Sequence, residues 1–151
     1  MKVPFVLGRA IFGGFFLYNA VHHFKEYKNL AQYAKTKHVP MPEAAVLGSG
    51  AALAIGGTSI LLGVKPKIGT LAILGFLAGV SPTMHDFWNA KDPNQKQNDM
   101  INFFKNMALL GGTLALMGVE EPWPASVGSG EASEEERPLR LSERRMQRKA
   151  A

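Results

Sequence analysis

Long apolar runs alternate along the chain with short polar links. The first run, residues 3–21, is interrupted only by Arg9 and Asn19. Residues 44–64 and 68–84 carry no charge at all, over 21 and 17 residues. Residues 100–119 form a fourth run, with Asn102, Lys105 and Asn106 near its start. A bilayer core of about 30 Å needs roughly 20 residues of helix. The pattern therefore predicts four membrane spans. A soluble four-helix bundle would show a charged face on each helix, and the second and third runs have none.

The links carry their own signals. In residues 22–43, Phe24, Tyr27, Leu30, Ala31 and Ala34 recur at helical spacing, with Lys25, Lys28 and Lys35 off that face. This predicts that the first helix continues as an amphipathic, interfacial segment. It should stop near Val39, because Pro40 and Pro42 disfavour helix in the residues before them. Lys65-Pro66-Lys67 predicts a tight turn, and Asp92-Pro93-Asn94 the turn within the polar link from His85 to Asp99. The first run is expected to be a retained helix rather than a cleaved leader. Arg9 breaks its apolar core, and no A-x-A-like site follows.

From Glu120 the character changes. Pro122, Pro124 and Gly128-Ser129-Gly130 read as a linker, and the rest is acidic first and basic last. The last 32 residues hold 13 of the 29 charged residues. Such a segment has too little apolar surface to offset the entropy of ordering. The expected architecture is an all-α, integral membrane, four-helix antiparallel bundle over residues 1–119, with a largely disordered polar tail over 120–151. That tail is expected to be dispensable for folding.

Composition narrows the chemistry. With no cysteine, the chain has no disulfide, no Cys nucleophile and no Cys-ligated metal or iron–sulfur site. A net charge of +5 invites a nucleic-acid reading, but the basic residues form no stripe with interleaved aromatics, so no nucleic acid is expected. The 16 glycines read as helix-packing surface. Gly48, Ala52 and Gly56 repeat at four-residue spacing, as do Gly75 and Gly79, Ala108 and Gly112, and Gly111 and Ala115.

Antiparallel spans with short links place nearly all remaining polar residues on one membrane face. Asn19, His22 and His23 come from the first helix, Glu43 from the second, His85 and Asp86 from the third, and Asn102, Lys105 and Asn106 from the fourth. Headgroup-level polarity explains many such residues. Lys105 and Asn106 lie roughly 8 Å inside the fourth helix, where an ionisable group is costly unless paired and is a functional candidate. Asp86 is the expected ion-pair partner of Lys105, with Glu43 second. The candidate ligand-binding cluster is Asn19, His22, His85, Asp86, Asn102, Lys105 and Asn106. No residue is assigned a catalytic role. His22 and His85 are the minimum for a bis-histidine haem, but both sit at one end beside competing polar groups, so haem is not expected. A metal site of His22, His85 and Asp86 has no motif behind it. Ser81, His85 and Asp86 fail as a triad on spacing.

Arg9 with Gly13-Gly14-Phe15, the His38-Val39-Pro40-Met41-Pro42 loop and Gly56-Gly57 with Leu61-Leu62-Gly63 together resemble the DoxX-type membrane proteins. His85 after the third helix, and Phe103-Phe104-Lys105-Asn106 with Gly111-Gly112 in the fourth, extend the resemblance to about residues 5–118. Ala52-Leu53-Ala54 lacks the acidic residue common before the family's Gly-Gly. The resemblance implies a four-span bundle in the inner membrane of a bacterium, where some relatives are the small subunit of a thiosulfate:quinone oxidoreductase. Three functions are expected in order. The first is an accessory or binding subunit, which holds or contacts a partner, including a membrane redox protein or a second copy of itself. The second is a quinone-linked oxidoreductase subunit, with His and Lys as donors to a quinone. The third is a small-solute or proton pathway. The two chain ends are expected on one side, the cytoplasmic one.

Overall fold

The computed structural model describes residues 2–127, all helical or irregular, with no strand among them. Five helices follow one another: α1 (Lys2–Lys25), α2 (Tyr27–Thr36), α3 (Pro42–Leu62), α4 (Pro66–Met84) and α5 (Pro93–Met117). Four of them, all but α2, are long and apolar enough to cross a membrane. The expected all-α, four-span architecture is thus the observed one.

The local signals explain where the helices begin and end. α3, α4 and α5 each start on a proline, whose missing N–H costs nothing in the first turn. Asp92 caps α5 by accepting from the Gln95 amide at 2.7 Å, a standard N-cap contact. α5 therefore begins seven residues before the apolar run from Met100, and much of the expected polar link is helix. α2 is a separate short helix after a one-residue break at Glu26. It buries Ala31 and Ala34 and stops at Thr36, three residues before Val39. The link that follows is tight, with His38 and Met41 both at positive φ, 58° and 48°.

α1 packs on α3, α3 on α4, and α4 on α5, while α2 lies against α3. Two crossings depend on glycine. A Cβ on Gly13 would lie 2.9 Å from the Gly57 carbonyl, and a Cβ on Gly57 would lie 2.9 Å from that of Gly13. A Cβ on Gly56 would press on Ile73 at 2.6 Å, and one on Gly69 on Ser59 at 2.5 Å. Removing Cβ lets helix backbones approach where lipid offers no hydrophobic drive. Only part of the expected small-residue pattern is used this way. Gly56 and Gly112 face neighbours, whereas Gly48, Gly75, Gly79 and Gly111 face open space. Gly13, Gly57 and Gly69 carry the contacts instead.

Phe16, Leu53, Ile60, Ile73 and Leu77 form the buried centre. Thr70, Ser81 and Thr113 are fully buried too, each donating to a carbonyl three or four residues back in its own helix. Trp123 completes the core at 1% exposure, edge-on to Phe5 at 5.3 Å. Residues 120–127, assigned above to the polar tail, thus return to the bundle. The expected disorder further on falls outside the described residues. Arg9 fixes the returning segment. Its guanidinium donates to the carbonyls of Pro124 at 3.0 Å and Ala125 at 2.9 Å.

Candidate functional site

At the opposite end of the bundle, three segments meet around one ammonium. Lys37 is the C-cap residue of α2, and its Nζ donates to Asp86 Oδ1 at 2.5 Å and to Asp99 Oδ2 at 3.4 Å. Asp86 sits two residues beyond α4, and Asp99 lies in the second turn of α5. The Asp99 side chain is only 3% exposed. His85, the cap of α4, brings Nδ1 to 3.5 Å from Asp99 Oδ1 without forming a hydrogen bond. Asn89 completes the group by donating to Asp86 Oδ2 at 3.1 Å. A single lysine therefore ties α2 to both sides of the α4–α5 link.

The electrostatics follow from this geometry. Burial disfavours the charge on Lys37, but its hydrogen bond to Asp86 and the fields of Tyr33, Asp99 and Asp86 outweigh that, so its pKa is raised. The same hydrogen bond holds Asp86 below the ordinary carboxylate value, against a smaller opposing effect of burial. Burial pushes His85 down from the ordinary imidazole value. Asp99 opposes the shift, while Lys105 and Lys37 add to it.

The structure brings together some of the expected cluster and not the rest. His85 and Asp86 belong to it. Lys105 does not pair with Asp86: it is exposed and donates to Asn102 Oδ1 at 2.8 Å on its own helix. Asp86 is already taken by Lys37. Asn106 is half-buried on α5, and His22 and Glu43 are exposed. Asn19 turns back to the Phe15 carbonyl. Lys37 and Asp99 were missed. Asp99 begins a stripe that continues through Asn102 and Asn106 to buried Thr113, but it lies one residue outside the apolar run. Among the described residues no group of three His, Asp or Glu side chains is placed to hold a metal.

Beside the clasp, lined by its chain neighbours Val39 and Met84, lies a cavity of about 350 Å³. It is a half-open cavity lined by the last turn of α1, α2, the first half of α3 and the last half of α4, with His23, Ala34, Val46, Ser49, Phe76 and Thr83 among its walls. Its volume falls at the small end of the roughly 300–1,000 Å³ typical of small-molecule sites. Phe87, Trp88, Phe103 and Phe104 form an aromatic cluster on the α4–α5 side, the usual decoration of a membrane–water boundary.

The DoxX family signature matches residues 5–86. The chain belongs to the DoxX family. The match spans α1 to α4 and the Asp86 side of the clasp. It ends before α5, so Asp99, Lys105 and Trp123 lie beyond it, and it is shorter than the resemblance drawn above. Neither the curated proteins nor the solved structures compared with this DoxX chain gave a match.

Proposed function

We propose that this DoxX protein is an accessory binding subunit of a bacterial inner membrane, which holds a small amphiphilic molecule under α2 and carries no chemistry of its own. The observation behind this reading is the juxtaposition of clasp and cavity. Ala34 and Val39, which flank Lys37 in the chain, line the cavity, and so do Thr83 and Met84 just before His85 and Asp86. The charges of Lys37, Asp86 and Asp99 are spent on one another, which suits a fixed roof better than a poised acid or base. Native mass spectrometry of protein purified in mild detergent tests it. A bound small molecule should survive purification and be lost in Ser49→Trp, which fills the cavity. If no molecule is retained by either form, the binding reading fails. Recovery of a quinone would favour the quinone-linked subunit instead.

A further inference from the structure

Three polar side chains line the cavity, those of His23, Ser49 and Thr83, and each has already committed a proton within its own helix. The Ser49 hydroxyl donates to the Val46 carbonyl at 2.8 Å, and the Thr83 hydroxyl donates to the Gly79 carbonyl. Each has therefore committed its only proton within its own helix and keeps lone pairs alone. His23 is the third polar side chain. Its Nδ1 lies 2.8 Å from the Asn19 carbonyl oxygen. A carbonyl oxygen cannot donate, so Nδ1 carries the proton, and in the neutral ring Nε2 is a bare acceptor. Nε2 has no hydrogen-bond partner among the described residues and is not a sealed, solvent-free atom. The ring is held by an edge contact with Phe76 at 5.9 Å and by close packing on Gly50, where a Cβ would come within 3.1 Å of His23 Cβ. The acceptor is thus fixed in position as well as in tautomer.

We infer that the cavity takes a neutral lipophile bearing a hydroxyl group, which donates a hydrogen bond to His23 Nε2. The inference rests on the binding reading above and names its ligand class. An apolar body suits the alanine, valine and phenylalanine walls. A carboxylate or phosphate would find no free donor. A ketone, ester or quinone carbonyl would face lone pair against lone pair. A hydroxyl supplies what the wall lacks.

A matched pair of probes tests this. Full-length protein in detergent is titrated calorimetrically with 4-octylphenol and with 4-octylanisole, in which a methyl group replaces the hydroxyl proton. One hydrogen bond of ordinary net strength predicts that the phenol binds about fivefold more tightly. His23→Phe, which keeps a ring against Phe76, should bring the two to within twofold. Equal affinity of the two probes for the unaltered protein would overturn the hydroxyl assignment and leave the cavity reading standing. A preference that survives in His23→Phe would overturn the role of His23. Binding of neither probe would overturn both the hydroxyl assignment and the cavity reading.

Discussion

The Lys37 ammonium bridges two carboxylates, those of Asp86 and Asp99, and its removal is not a surface change. In Lys37→Met, the Asp99 carboxylate stays buried without its cation. Removing one partner of a buried pair is costly because the other charge remains. Lys37 and Asp86 are partly exposed, which reduces the effect, so a loss of about 2 kcal/mol is expected. Lys37→Met with Asp99→Asn should recover much of it. Lys105→Met should leave the melting temperature unchanged, since its ammonium bonds only to Asn102. Equal melting temperatures for the two single variants would contradict the clasp.

The pH profile carries the same logic. His85 has a folded pKa below its ordinary 6.5, so the unfolded chain takes up the proton first and stability declines as pH falls below about 6.5. Asp86, depressed below 3.8, adds stability that disappears as pH falls through its lowered value. Lys37, raised above 10.5, adds stability that is lost as pH rises through its raised value. Thermal unfolding between pH 5 and 9 should show a flat neutral range and an acid slope, and His85→Gln should remove the His85 share of that slope. Little of this site was legible in the sequence. His85 and Asp86 were visible as polar residues at a helix end. Their partner was not, because Lys37 is 49 residues from Asp86 and 62 from Asp99, and no local pattern encodes that pairing.

At the scale of helices, neighbouring glycines have different roles. Gly13 lies in the α1–α3 crossing and Gly14 faces open space. Gly13→Ala should force the helices apart at a cost of about 1–3 kcal/mol. Gly14→Ala should be neutral or slightly stabilising, because alanine is the better helix former. Detergent melting curves that fail to separate the two would show that the crossing is looser than its geometry. The spans themselves were readable because an uncharged stretch of that length satisfies its backbone in lipid only as helix. The four-residue glycine spacing was a weaker guide. It marks small faces without saying whether a helix or lipid meets them, and the crossing at Gly13 and Gly57 depends on register between helices.

For the whole molecule, the boundary of the bundle is set by Trp123 rather than by Val119. A single tryptophan among prolines reads as linker until its burial is seen. Cutting the chain after Val127 should leave thermal stability almost unchanged, whereas cutting after Val119 should lower it. Trp123→Ala should reproduce most of that loss, about 3–5 kcal/mol for a large aromatic in a core. Orientation belongs to this scale too. The Arg9 end is expected to be cytoplasmic, and periplasmic activity of a reporter fused at Ala151 would reverse it.

The Arg9 contact has a consequence for the order of events during synthesis. Its acceptors lie 115 and 116 residues downstream. At about 5–20 residues per second, the ribosome takes roughly 6–23 s to make that stretch. Throughout that interval the first helix has a guanidinium without its carbonyls. The first span to leave the ribosome is therefore among the last to reach its final surroundings, and the chain seals itself from its two ends only when translation has passed Ala125.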